Sequence, residues 1–296
     1  MLIQRLAIIG VGLIGGSLAR ALRQKRQCRS VVGFGRNPVH LDKAVELGVI
    51  DEYSLTVASA VRDADMVVLA TPLDTTSRLL QAMRNYLGRD TVITDVGSAK
   101  GSVVEAARNT LGDCLPRFIP GHPIAGKEQS GVEASVADLF DSHRVILTPL
   151  PENSVQALER VTKMWEITGA DVVQLDVEQH DEILAATSHL PHMLAYALVD
   201  CLAGMKDSDE IFRFAAGGFA DFTRIASSDP QMWHDICIAN RQYLLSALNH
   251  FDQHLNNIRQ AIENDDSKSL LKIFTRAKKA RDQFTRSSNR HNDAPE

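Results

Sequence analysis

The chain has 296 residues, is 44% hydrophobic and carries a formal charge of -5 from 32 basic and 37 acidic side chains. That length holds two domains with ample core, and with no basic stripe the charge balance excludes a nucleic-acid footprint. No apolar run is long enough to span a membrane, the N-terminus runs straight into a fold strand with no signal or transit peptide expected, and Cys28, Cys114, Cys201 and Cys237 form no C-x-x-C pair, which reads as a reduced, cytoplasmic protein.

The stretch Leu6–Ser17, LAIIGVGLIGGS, is a short apolar strand followed by Gly10, Gly12 and Gly15 in G-x-G-x-x-G spacing and then an Ala/Leu-rich helix. Gly10 permits the tight turn, Gly12 lets a pyrophosphate approach the backbone, and Gly15 lets helix and strand pack closely. The helix N-terminus, with Leu13 and Ile14 in its first turn, offers N–H groups and a positive dipole end to the phosphates of a dinucleotide such as NAD(P).

From Met1 to about Asp176, strands alternate with amphipathic helices. Strands are predicted at 2–10, 30–35, 66–70, 91–95, 117–120, 144–148 and 172–175, with helices such as 38–47, 74–86, 98–111 and 152–168. The pattern predicts an α/β Rossmann-type doubly wound sheet over residues 1–176. Beyond it, four helices are predicted, at 178–202, 208–225, 230–262 and 266–284, forming an all-α substrate and dimerisation domain over 177–284. Residues 285–296 lack periodicity and are expected to be disordered. The third helix carries Trp233, Ile236, Ile238, Tyr243, Leu244, Ala247, Leu248 and Phe251, more apolar surface than a free-standing helix tolerates, so a homodimer is expected.

Ligands of doubly wound sheets bind beyond the carboxyl ends of the strands. The second strand ends at Gly35-Arg36-Asn37, without the carboxylate that would bond a ribose 2′-OH. Arg36 is available to hold a 2′-phosphate, which favours NADP being accepted alongside NAD; stacking on adenine or facing solvent is the alternative. Thr71 and Pro72 after the third strand and Asp95 at the end of the fourth complete the expected cofactor contacts. The fourth strand runs into the loop 95–100, DVGSAK, and the fifth into a loop at 121–126, GHPIAG. His122, between a glycine and a proline, is rigidly placed to take a proton from a substrate hydroxyl, with Ser98 fixing its tautomer or touching the same hydroxyl.

Asp229-Pro230 reads as an N-cap with proline at the first helical position. Pro191 should kink its helix and aim His189 and His192 in distinct directions. The H-x-x-H they form has no H-E-x-x-H context, so no metal is expected. Glu128 is a candidate to pair with one of these histidines across the cleft.

The glycine loop together with DVGSAK (95–100), GHPIAG (121–126), SHLPH (188–192) and GGFADFTRIASSDPQMW (217–233) resembles the prephenate dehydrogenase family, which includes arogenate and cyclohexadienyl dehydrogenases. The resemblance covers roughly residues 3–284. It implies a dinucleotide domain joined to a helical dimerisation domain. The implied reaction is oxidative decarboxylation of prephenate to 4-hydroxyphenylpyruvate, or of arogenate to tyrosine. It implies His122 as the catalytic histidine on the ring C4 hydroxyl, Ser98 beside it, Arg224 on a substrate carboxylate, His189 and His192 at the cleft, and Trp233 at the boundary of site and subunit. Two rivals are a 3-hydroxyacid dehydrogenase of the 6-phosphogluconate type and a non-catalytic NADP(H)-binding sensor. The first uses a helical-domain lysine, and between Lys163 and Lys268 this chain has only Lys206. The second has no need of His122, Ser98 and Arg224 together.

Overall fold

The computed structural model describes residues 1–127 and 129–292. The N-terminal half alternates β1 (Ile3–Ile9), α1 (Leu13–Gln24), β2 (Cys28–Phe34), α2 (Pro38–Glu46), β3 (Glu52–Ser54), α3 (Val57–Val61), β4 (Met66–Leu69), α4 (Thr76–Met83), β5 (Val92–Asp95), α5 (Lys100–Thr110) and β6 (Phe118–Ile119). These strands form one parallel sheet in the order β3-β2-β1-β4-β5-β6, the doubly wound order in which the chain reverses direction between β1 and β4. Side chains alternate between its faces. Leu6, Ile8, Met66 and Val68 enter one apolar cluster, and Ala7, Ile9, Val67 and Leu69 enter the other. The central strands are therefore buried on both sides, which is why they read as unbroken apolar runs.

A second sheet follows. β7 (Gly121–Pro123), β8 (Arg144–Leu147) and, after α6 (Val155–Ile167), β9 (Asp171–Gln174) lie in the order β7-β8-β9, with β7 antiparallel to β8. This corrects the reading of 121–126 as a loop: His122 sits in β7, paired with Ile146. Three residues that follow Pro120 and end in Pro123 give too short a run for alternation to register.

The helices of the C-terminal half are α7 (Val177–Leu184), α8 (Leu190–Ala203), α9 (Ser208–Arg213), α10 (Gly217–Thr223), α11 (Pro230–Ala239), α12 (Arg241–Glu263) and α13 (Ser267–Asn292). The single helix predicted over 178–202 is interrupted by a π-helical turn, Ala185–His189. Pro191 falls in the first turn of α8, where its missing N–H costs little, so the break precedes the proline. The helix predicted over 230–262 also divides, at Asn240, whose buried side chain bonds the Asp181 carbonyl. As expected, Asp229 caps α11, its carboxylate accepting from Gln231 N and Met232 N at 2.8 and 3.0 Å with Pro230 in the first turn. α13 continues to Asn292, through most of the stretch expected to be disordered; residues 293–296 lie outside the described residues. An (i,i+4) pair, Lys278–Asp282, adds support on the exposed surface of that helix.

By contacts the chain divides into two compact units, Met1–Leu244 and Leu245–Glu296. The second is a helical hairpin whose turn has Asp265 at φ 53°, with Asp266 accepting from Ser269 N. It exposes Leu255, Ile262, Leu271, Phe274 and Phe284.

The glycine loop is set by steric limits. Gly10 has φ +103°, and a Cβ there would lie 2.3 Å from the Ala70 carbonyl oxygen, whereas a Cβ on Gly12 would meet nothing within 4 Å. Gly10→Ala is expected to cost roughly 3 kcal/mol of stability and Gly12→Ala less than about 0.5 kcal/mol, read from urea midpoints of the ligand-free protein.

Candidate active site

The space above Gly12 is a cradle that a side chain would fill, and α1 begins there without a side-chain cap, leaving the N–H groups of Leu13 and Ile14 for an anion. A Cβ on Gly15 would lie 2.4 Å from the Gly10 carbonyl oxygen, so that position keeps the helix close to the turn. Beside the loop lies a cavity of about 360 Å³ lined by Gly10, Gly35, Arg36, Thr71 and Pro72, as expected, and also by Arg78. An anion cradle joined to a cavity at the carboxyl end of β2 fits a dinucleotide. Both arginines are exposed, and among the described residues no carboxylate lines the cavity. Arg78 lacked any sequence signal, because α4 brings it to the cavity from a separate part of the chain.

Asp95 turns its carboxylate into the protein. It is buried and pairs with the fully buried Lys100, while its oxygens accept from Gly97 N at 2.8 Å and Gly121 N at 3.1 Å. Lys100 Nζ in turn donates to the Gly121 carbonyl at 2.7 Å. The ion pair therefore holds both backbone groups of the residue before His122, and all the bonds of the Asp95 carboxylate are internal. An aspartate at the end of a strand gives the same sequence signal whichever way it turns.

His122 is buried, and its Nδ1 lies 2.9 Å from His180 Nε2. His180 Nδ1 lies 2.8 Å from Asp181 Oδ1. Asp181 also accepts from the first N–H groups of α5, Lys100 N at 2.7 Å and Gly101 N at 2.8 Å. The side-chain partner of His122 Nδ1 in the structure is therefore His180, where the sequence also offers Ser98. Neither His180 nor Asp181 stood out in the sequence, since an adjacent His-Asp pair on a helix resembles any polar face. Burial, reinforced by the neighbouring His180, Lys100 and His189, holds His122 well below the usual histidine range. Burial also lowers His180, against the pull of Asp181. For Asp181, burial works upward, but the bonds from His180, Lys100 N and Gly101 N outweigh it and keep the carboxylate ionised.

His189, in the π turn, is buried, and its Nδ1 lies 3.1 Å from Asn240 Nδ2. Its Nε2 makes no well-formed hydrogen bond among the described residues, although the Ser98 carbonyl pulls on the ring. His192 bonds the Ser188 carbonyl and stacks on Trp233 with ring centroids 3.7 Å apart, while His189 meets Trp233 edge-on at 6.1 Å. The two histidines were expected to diverge; instead both rings converge on one indole, because His189 closes the π turn and His192 follows three residues later on the same face. Burial lowers His192, the Ser188 carbonyl opposes this, and the Arg224 guanidinium pushes it further down. Glu128 lies outside the described residues. Among the described residues no cluster of three or more His, Cys, Asp or Glu is arranged to hold a metal ion.

Fold and site together define a dinucleotide-dependent oxidoreductase with buried, neutral imidazoles beyond the ends of its strands. A family model described as prephenate dehydrogenase, nucleotide-binding domain, matches residues 18–174, and one described as prephenate dehydrogenase, dimerization domain, matches residues 176–276. Cyclohexadienyl dehydrogenase of Zymomonas mobilis subsp. mobilis is 39% identical over 282 residues, covering 94% of this chain and 95% of that protein. The crystal structure of prephenate dehydrogenase from A. aeolicus with hydroxyphenyl propionate and NAD+ is similar with a TM-score of 0.89 and 37% identity, covering 95% of this chain and 98% of that one. For Synechocystis arogenate dehydrogenase the TM-score is 0.79 at 29% identity, covering 95% of this chain and all of that one. The chain belongs to the prephenate dehydrogenase family. It is an NAD(P)-dependent oxidoreductase of the prephenate/arogenate dehydrogenase type, which sets aside both rival readings.

The burial of these rings gives the protein an acid-sensitive core. His189 has a folded value pushed down to about 4 from 6.5, so the unfolded chain takes up the proton first as acid is added. Stability is full above about 6.5 and falls as the pH drops towards 4. The His189 share is on the order of 2–3 kcal/mol. Urea midpoints at pH 7 and 5 are expected to differ less in His189→Gln than in the parent protein.

Proposed function

We propose that the protein carries out the oxidative decarboxylation of prephenate, and of arogenate if its side chain is accepted, in tyrosine biosynthesis. The observation that carries this is His122: a buried, neutral imidazole on β7 whose Nδ1 meets His180, in a chain whose His189 and His192 both pack on Trp233. When bound, NAD(P)+ accepts the hydride that leaves ring C4. His122 draws the C4 hydroxyl proton as that hydride leaves. Arg224 holds a substrate carboxylate, with His189, His192 and Trp233 forming the wall of the same pocket and Ser98 close to the reacting hydroxyl. Charge-assisted bonds from a guanidinium are worth roughly 1.5–3 kcal/mol each. Loss of the ring carboxylate as CO2 makes the ring aromatic and drives the reaction. The protein's contribution is position and general-base help, the latter on the order of 10²–10⁴-fold.

NADP is proposed to be accepted as well as NAD, because Arg36 and Arg78 line the cavity at the end of β2 with no carboxylate to repel a 2′-phosphate. A homodimer is proposed through the helical half. Its support is the exposed apolar row Leu255, Ile262, Leu271 and Phe274, together with the family description of that half as a dimerization domain. Among the described residues no helix is long and apolar enough to cross a membrane. The four cysteines are free thiols, which suits the reducing cytoplasm proposed as its compartment.

Two assays test these roles. In the first, reduced-cofactor absorbance with prephenate is expected to appear for the parent protein. It should fall by on the order of 10²-fold or more in kcat for His122→Asn, with the cofactor Kd little changed. Arg224→Ala should instead raise the KM for prephenate by about tenfold or more. Near-parental turnover in His122→Asn would remove the base, and an unchanged KM would remove Arg224 from the substrate. In the second, Arg36→Ala is expected to raise the KM for NADP about tenfold while leaving that for NAD within about twofold; equal effects on both cofactors would assign Arg36 to adenine stacking.

A further inference from the structure

We infer that His180 and Asp181 are positioning residues that hold neutral His122 with its proton on Nδ1, leaving Nε2 as its one proton acceptor. This rests on the reading of His122 as the general base.

The argument is one of donor and acceptor counting. Asp181 is bound on both oxygens by backbone N–H groups, from Lys100 at 2.7 Å and Gly101 at 2.8 Å. An ionised carboxylate only accepts, so its 2.8 Å contact with His180 Nδ1 puts a proton on that nitrogen. Neutral His180 then has a bare Nε2. The 2.9 Å contact between that nitrogen and His122 Nδ1 requires a proton on His122 Nδ1. Neutral His122 therefore presents only Nε2 as a base. The opposite arrangement needs a doubly protonated His180, which burial and the charge of nearby Lys100 both disfavour.

The same chain serves the later half of the reaction. The C4–H bond breaks and its electron pair leaves with the hydride, reducing the dinucleotide. The O–H bond breaks and its proton goes to His122 Nε2. The bond to the ring carboxylate breaks, CO2 departs and that electron pair enters the ring. The resulting phenolate oxygen takes the proton back from His122. Prephenate dianion and oxidised cofactor become hydroxyphenylpyruvate monoanion, CO2 and reduced cofactor, and no proton is left over. The base must therefore hold a borrowed proton briefly and return it. Asp181, one imidazole removed, steadies the imidazolium without taking its proton.

The test uses the full chain labelled with ¹⁵N-histidine. Nitrogen chemical shifts of the imidazoles, assigned by loss of the signal in His122→Asn, report which nitrogen carries the proton. In the parent protein His122 is expected to be protonated on Nδ1 and bare on Nε2. In His180→Phe the His122 signals should show a mixture of tautomers. There kcat should fall about 10²-fold or more, with the KM values for prephenate and cofactor within about threefold. Asp181→Asn, which keeps an oxygen for His180 but removes the charge, should lower kcat with the parental tautomer retained. A parental His122 bare on Nδ1, or His180→Phe with unchanged kcat, overturns the inference. A fall in kcat and a rise in KM together, with a lowered melting temperature, assigns His180 to packing and also overturns it. Should His180→Phe not fold, the parental spectrum and Asp181→Asn decide alone. The tautomer is read without turnover, so it stands or falls separately from the base role tested by His122→Asn.

Discussion

The Asp181 carboxylate seated on the first turn of α5 is the contact on which the rest of the site depends. α5 begins at Lys100 after Ala99, a residue with no side chain to cap it. Its leading N–H groups would otherwise be buried without partners, a cost of about 1–3 kcal/mol each. The cap arrives from a helix about eighty residues further along the chain. One carboxylate thus satisfies a helix end, orients His180 and ties the helical half to the sheet. The Asn240 side chain, bonded to the Asp181 carbonyl, secures the same residue from the other end of the helical half.

Around this contact the protein buries opposite charges and neutral rings side by side. The Asp95–Lys100 pair is enclosed, and a buried pair is weak evidence for stability because desolvation offsets most of its attraction. Its geometric role is clearer. It grips the amide and the carbonyl of Gly121, so the strand residue that follows has no freedom to shift. The lysine charge, close to His122 and His180, also keeps both rings neutral. A base that must accept a proton only when the substrate offers one is served by such surroundings.

Much of this was legible in the sequence, for reasons that differ by element. The glycine loop, the apolar central strands and the Asp229-Pro230 cap are each dictated by local sterics or periodicity, and each lies where its residues indicate. His122, Ser98, Arg224 and Trp233 stood out through motifs and resemblance. His180, Asp181, Asn240 and Arg78 did not, because their partners lie far along the chain and a local pattern carries no record of them. For Asp95 the position at a strand end is visible in the sequence, but its inward turn towards Lys100 is not. The division of two predicted helices also came from tertiary bonds, at Asn240 and in the π turn, overriding an otherwise continuous helical pattern.

The π turn at Ala185–His189 has a consequence for the angular phase of the whole helical segment. In an α-helix each residue advances the chain by about 100° around the axis. A π turn is in effect one extra residue, and it lets the His180–Asp181 stretch and the His189–His192 stretch face their separate partners in the same rod. Excising a single residue there would make the helix regular and, by itself, shorter by only about 1.5 Å. It would also turn one set of rings about a quarter-revolution away from the other, leaving each of these rings present and the constellation dismantled.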